Sequence, residues 1–449
     1  MNMQTSVDLS LLGAAAAASA LAEGRISSEE LVAACLARIE ADEERVQAWA
    51  FIDPEHALRQ ARSADSRRRE GKALGPLHGL PVGVKDIIDT ADMPTENGTV
   101  LHAGRAPSTD ATVVSMLRAA GAIIMGKTVT TELATYSPGK TRNPHKPEHT
   151  PGGSSSGSAA AVSAHMVPLA IGTQTNGSVI RPAAYCGAVG YKPSFGLIPR
   201  HGVLKQSRPL DQIGVIARSV EDAALLAEQL IGFDQNDPDT RALARPLLRE
   251  TAMREAPVPP TLAFVRTPMW KLADAQCQAA FAGLAARLGE RVEEHKLPVA
   301  FKDAWKWHRT IMEADLAKNF EPEYRRGRDK LSEALRGQIE RGRRVRALDY
   351  NKALDQIPAL NGTLNQLFDR GYDAILTPAT AGTAPRGLTS TGSPAFCTLW
   401  TLCGLPAITL PLLQGADGLP LGVQLVGPHG DDARLLRSAR WLMTQVQSR

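Results

Sequence analysis

Seven consecutive residues without a bulky side chain, Gly152-Gly153-Ser154-Ser155-Ser156-Gly157-Ser158, sit inside the most apolar part of this 449-residue chain. Such a run makes a poor strand and a poor helix interior, yet it lets backbone amides and hydroxyls come close to a ligand. A Ser/Gly run between polar flanks is ordinarily a flexible linker. Here Pro151 precedes it and the alanine-rich stretch 159–164 follows, so the run is expected to open a helix. Its N–H groups then lie at a helix N-terminus, where developing negative charge is favoured. A second loop of small residues, Gly172-Thr173-Gln174-Thr175-Asn176-Gly177-Ser178, puts Ser178 twenty-four residues after Ser154. The short apolar runs 166–171 and 185–191 on either side of it read as two buried strands.

A serine hydroxyl is a weak nucleophile and needs a positioned base. The run Gly79-Leu80-Pro81-Val82-Gly83-Val84-Lys85-Asp86 offers one, because apolar residues lead up to Lys85 as a strand leading into the interior would. Most lysines are solvated surface charges. A lysine carried inward is different: desolvation disfavours its ammonium form and leaves a neutral amine able to take a proton near neutrality.

The set Lys85, Gly152-Gly153-Ser154-Ser155 and Thr175-Asn176-Gly177-Ser178 resembles the amidase signature family. The likeness extends through Arg181-Pro182-Ala183-Ala184-Tyr185-Cys186-Gly187 and Gly190-Tyr191-Lys192-Pro193 to Gly404-Leu405-Pro406-Ala407 and 418–424, and is weakest between about 233 and 371. It implies Ser178 as the acylated nucleophile, Ser154 as a bridging serine after a cis peptide bond, and Lys85 as the base. It also implies an oxyanion hole from the backbone N–H groups of Thr175, Asn176, Gly177 and Ser178, and Arg181, Ser154 and Leu133 on the substrate side. No cofactor and no metal belong to that chemistry. Physically, a hydroxyl at Ser154 both donates and accepts, so it can pass the Ser178 proton to Lys85 and return one to a departing amine.

The implied fold is a mixed, mostly parallel central β-sheet covered by helices on both faces. It would be one α/β unit of N-terminal helices (1–75), a signature core (76–232), a variable helical insertion (233–371) and C-terminal strands and helix completing the core (372–449). Apolar runs at 374–376, 407–410 and 423–426 read as buried strands, and 220–230 and 431–446 as helices.

Two departures from the commonest family pattern occur together. Gln174 stands where an Asp is usual, and Ile180 where an Arg is usual, with Arg181 one position further on. Loss of a balancing carboxylate and guanidinium leaves Arg181 with two roles open: receiving a substrate carboxylate, as in a malonamidase-like subgroup, or pairing with structural acids or carbonyls.

Other readings are weighed on the same residues. Gly121-Ala122-Ile123-Ile124-Met125-Gly126-Lys127-Thr128 has the spacing of a phosphate-binding loop, but a helix over 110–120 precedes it and a strand over 122–125 fills it, the reverse of the order phosphate binding needs. The net charge of +4 is small, and the basic clusters at 324–328 and 341–346 are interleaved with acids, which argues against nucleic acid and leaves a solvated helical face or an entrance that steers anions. Five scattered cysteines suggest reduced thiols in a cytoplasmic protein with no metal site. The alanine-rich stretch 11–21 lacks a basic leader and is expected to be a structural helix, and no apolar stretch is long enough for a membrane. The expectation is therefore an amidase releasing ammonia or an amine from a small carboxamide, with homodimer formation left open. The alternatives are the glutaminase (A) subunit of an aminoacyl-tRNA amidotransferase, a urea-type or aryl-acyl amide hydrolase, and a non-catalytic binding protein, against which the intact Lys85, Ser154 and Ser178 set speaks.

Overall fold

In the computed structural model, which describes residues 8–447, strands from most of the chain join one eleven-stranded sheet. In chain order they are β1 (Trp49–Ile52), β2 (Pro81–Lys85), β3 (Ile123–Thr128), β4 (Leu169–Gln174), β5 (Val189–Lys192) and β6 (Gln212–Ala217). The later ones are β7 (Leu262–Val265), β8 (Val292–His295), β9 (Ala374–Pro378), β10 (Ala407–Gln414) and β11 (Pro420–Val426). Across the sheet they run β1-β3-β2-β4-β6-β5-β10-β11-β9-β7-β8. The sheet is mixed and flanked by helices, as expected, but the expectation that it is mostly parallel is corrected. Only β3-β2-β4 and β9-β7-β8 pair in parallel; every pairing from β4 to β9 through the centre is antiparallel, as is that of β1 with β3.

The core strands β2, β3, β4 and β6 are buried along their whole length, which is why they read as continuous apolar runs rather than alternating ones. Helix ends follow their sequence signals. Ser27 and Glu30 form a reciprocal capping box at the start of the helix Ser28–Val46. The helix Val220–Leu230 begins where the Ser219 side chain accepts from the Asp222 N–H.

Three segment readings need amendment. The N-terminal segment supplies not only helices but also the edge strand β1, and the insertion contributes β7 and β8 to the opposite edge. Strands of four residues carry little periodic signal, β1 and β8 being partly exposed and β7 buried throughout. The stretch 185–191 is not one strand. Ile180–Cys186 is a helix buried on all sides and ended by Gly187 in the left-handed region, and only Val189–Lys192 is strand. Ser178 thus lies between a strand and a helix. Residues 1–7 and 448–449, which the expected end segments include, lie outside the described residues. Among those described, no helix is long and apolar enough to cross a membrane.

The phosphate-loop reading fails for the reason foreseen. Residues 123–128 are β3, and Lys127 is buried with its ammonium donating to the Ile88 carbonyl and to Thr95 Oγ1 at 2.7 and 2.5 Å.

Candidate active site

Lys85 ends β2 with no exposed surface. Its Nζ is 2.8 Å from Ser154 Oγ and 2.8 Å from Thr173 Oγ1. Burial drives its pKa well below the ordinary lysine value, with the Asp211 carboxylate pulling weakly the other way. A neutral amine held by two hydroxyls can accept a proton from either.

Among the serines of the glycine-rich loop, only Ser154 is turned to the lysine. Ser155 Oγ bonds the Thr173 backbone at both its carbonyl and its N–H, Ser156 Oγ donates to the Val129 carbonyl, and Ser158 Oγ donates to the Ile171 carbonyl. Those three hydroxyls pin the loop and the helix Ser156–Ser163 onto β3 and β4. The peptide bond between Gly153 and Ser154 is cis. Gly157 passes so near the neighbouring chain that a Cβ would fall 2.2 Å from the Ala48 carbonyl oxygen and 2.3 Å from the Val129 nitrogen. No larger residue fits there.

Ser178 follows β4 at 8 % exposure. The carbonyls of its loop are all engaged. Thr175 O accepts from His308 Nε2 at 2.9 Å, Asn176 O from the Thr401 hydroxyl, Gly177 O from the Arg181 N–H at 2.9 Å, and Ser178 O from the Ser155 N–H at 3.1 Å. By contrast, the N–H groups of Thr175, Asn176, Gly177 and Ser178 have no acceptor among the described residues. Buried amides are almost always paired. A row of unpaired N–H groups beside a serine hydroxyl is what a developing oxyanion requires. The Asn176 side chain is itself fixed, accepting from the Thr398 hydroxyl at 2.7 Å and donating to the Tyr136 hydroxyl at 2.9 Å.

The two departures in this loop have a structural account. Gln174 Oε1 accepts from the N–H groups of Val179 and Ile180 at 2.9 and 3.0 Å, and its Nε2 donates to Thr401 Oγ1 at 2.9 Å. A neutral amide therefore caps the helix Ile180–Cys186, while the Ile180 side chain packs into the apolar core. Arg181 is 1 % exposed. Its Nη2 donates to the Gly153 carbonyl at 2.7 Å and to Thr391 Oγ1 at 3.1 Å, while Nε and Nη1 are buried with no partner among the described residues. It bonds one backbone carbonyl, and no carboxylate pairs with it among the described residues.

Leu133 is fully buried in the apolar cluster beneath the site. The space over Ser178 is lined instead by its neighbours Ala134, Thr135 and Tyr136, with Asn176, Met312, Leu316 and Gln338. That space adjoins, through Tyr136, Asn176, Met312 and Gln338, a cleft of about 1080 Å³ bounded by Trp305, His308, Pro394 and the helices Ala304–Asn319 and Glu333–Gly342. Arg328 and Arg341 stand at its rim, paired with Glu340 and Glu313 at 2.9 and 2.6 Å. Arg325 and Arg343 both pair with Glu321 outside it. The basic clusters are thus mainly ion-paired helical faces, with two of their members at the cleft.

Tyr136, Asp211, His308, Gln338, Thr391, Thr398 and Thr401 escaped the sequence reading. Each reaches the site by tertiary contact, and only Thr398 and Thr401 left a trace, as polar residues inside the apolar helix Ala395–Leu402. Buried Cys186 has its thiol pushed up by desolvation and donates weakly to the Pro151 carbonyl, a packing role.

Comparison with known proteins agrees with this geometry. Residues 30–436 match the family model described as Amidase. The chain is 34 % identical over 485 aligned residues to the Glutamyl-tRNA(Gln) amidotransferase A subunit of Chloroflexus aggregans, covering 96 % of this chain and 95 % of the relative. Its structure is similar to that of the native peptide amidase from Stenotrophomonas maltophilia, with a TM-score of 0.84 at 29 % identity and 97 % of each chain covered. It is also similar to a chain from a vestigial protein complex tied to the origins of an s-triazine catabolic enzyme, with a TM-score of 0.89 at 27 % identity, covering 96 % of this chain and 98 % of that one. With the lysine, the two serines and the open row of amides in place, and a family match that spans nearly the whole chain, this protein belongs to the amidase signature family of hydrolases acting on C–N bonds.

Proposed function

We propose that the chain hydrolyses a small carboxamide whose acyl part carries a carboxylate, through an acyl-enzyme on Ser178. The observation that carries this reading is Arg181, a buried guanidinium with two nitrogens unpartnered and no carboxylate beside it among the described residues. A guanidinium stays charged at any working pH, and an unpaired buried charge is costly, so a substrate carboxylate supplies what the protein leaves out. In the reaction, neutral Lys85 takes the Ser154 proton as Ser154 takes that of Ser178. The Ser178 oxygen attacks the amide carbon, and the oxyanion is received by the N–H groups of residues 175–178. Ser154 returns a proton to the departing nitrogen, and water then cleaves the ester by the same relay in reverse.

A second reading is favoured by the curated relatives, whose name is that of an amidotransferase A subunit. In it the chain would release ammonia from glutamine for use by partner subunits. Arg181 serves either substrate, since glutamine also carries a carboxylate. What separates the readings is autonomy. Purified alone, the chain should release ammonia from an acidic amide such as malonamate. Turnover of glutamine only, and only with added partner subunits, would establish the second reading. Within the first, Arg181→Gln should slow the acidic amide by roughly ten- to a hundredfold, the value of one charged hydrogen bond, and spare a neutral amide of similar size. Equal losses on both would make the arginine purely structural.

A further inference from the structure

His308 is contributed by the helix Ala304–Asn319, in the insertion, where the family likeness is weakest. It is 1 % exposed and lies against the oxyanion loop, with Nε2 2.9 Å from the Thr175 carbonyl oxygen. A carbonyl can only accept, so this contact places the proton of the imidazole on Nε2. Burial pulls the histidine down to about 4, which keeps the ring neutral with a single N–H.

The Thr175 carbonyl and the Asn176 N–H belong to one peptide plane and point in opposite directions. Whatever holds the carbonyl outward therefore aims the N–H inward, toward the oxygen of a substrate bound at Ser178. Turning that peptide changes ψ of Thr175 and φ of Asn176, and asparagine enters the left-handed region more readily than most residues, so the hydrogen bond on the carbonyl is what opposes the turn. A turned Thr175–Asn176 peptide would present a carbonyl dipole to the developing oxyanion in place of a donor. The next peptide is held in the same way, by the Thr401 hydroxyl donating to the Asn176 carbonyl.

We propose that His308 is a positioning residue of the oxyanion hole, its Nε2–H fastening the Thr175 carbonyl so that the Asn176 N–H faces the reacting carbonyl. This rests on the acyl-enzyme reading above, and no atom of His308 needs to touch the substrate's scissile bond.

The test compares His308→Phe, which keeps a ring but has no donor, with His308→Gln, whose amide restores one. Three quantities are read in the full chain: the second-order rate at which a fluorophosphonate labels Ser178, kcat and KM on an amide the wild type hydrolyses, and the melting temperature. His308→Phe should lower the labelling rate and kcat by roughly ten- to a hundredfold, somewhat less than deleting a donor outright, and leave KM within about threefold. His308→Gln should recover most of the loss. Equal losses in the two variants, a KM that rises in step with the fall in kcat, or wild-type rates in His308→Phe would each overturn the proposal. Imidazole 15N shifts of the wild-type protein need no variant, and a neutral Nδ1–H tautomer would overturn it as well. A wild type that is not labelled at Ser178 would remove the acyl-enzyme reading and this inference with it, an outcome distinct from normal labelling in His308→Phe.

Discussion

Lys85 acts as a base only while neutral, so activity should rise with pH through its pKa and then level off. Burial sets that limb far below the ordinary lysine range, and among the described residues the charge opposing burial is Asp211. Asp211 is itself pushed up to about 6 by burial while its side chain accepts from Thr175 Oγ1 at 2.6 Å and from the N–H groups of Gln206 and Ser207. Above that pH its negative charge supports the lysine ammonium. Asp211→Asn removes the charge and retains a carbonyl for the two N–H donors, so the Lys85 pKa should fall further and the acidic limb of kcat/KM should move to lower pH. A limb that stays in place or moves to higher pH would show that Asp211 does not act on Lys85. Lys85, Ser154 and Ser178 could be singled out in the sequence because their motifs resemble the amidase signature, and the fold brings Lys85 to Ser154 and the Ser155 N–H to the Ser178 carbonyl. Arg181 was legible as a residue but not as an orphan, because a missing carboxylate can be seen only once every neighbour is placed.

The elements around the site divide by how much of their stability is local. β2, β3 and β4 are buried continuous apolar runs, and their existence followed from composition and length. The helix Ile180–Cys186 did not, because all seven of its residues are buried and no polar face marks a helical period. It begins where Gln174 meets the N–H groups of Val179 and Ile180, a cap supplied from the preceding strand rather than by a Ser, Thr, Asp or Asn at the usual position. Gln174→Leu keeps the volume and leaves two N–H groups and the Thr401 hydroxyl short of a partner. Denaturant unfolding should show a loss of about 2–4 kcal/mol, and turnover should fall as the Ser178 loop loosens. A change below about 0.5 kcal/mol would mean that water or the chain re-pairs those groups. The edge strands β1 and β8, and β7 beside β8, escaped the sequence for a different reason: they are short, and their pairing depends on partners far along the chain.

Taken whole, the molecule buries an unusual set of titratable groups, and their signs oppose one another with pH. Burial brings Lys192 down to about 7 and Lys127 to about 8, and Lys85 falls too. From those values up to the ordinary lysine pKa of 10.5, the unfolded chain holds protons that the folded one has released, so stability rises with pH. All five thiols are pushed up from 9.0 by burial. Above about 9 the folded protein retains protons that the unfolded chain loses, and stability falls. The melting temperature should therefore climb from pH 7 to about 9 and decline beyond it, and a steady decline from pH 7 upward would contradict this balance. The pairing of β5 with β10 and the grip of His308 and Thr401 on the Ser178 loop carry a consequence in time. A chain emerging from the ribosome can display Lys85, Ser154 and Ser178 while the residues that hold the Ser178 loop in shape are still to be made. On the proposed reaction, hydrolytic power should thus arrive late in synthesis, once the last third of the chain has been threaded into place, and a product truncated before His308 should lack it.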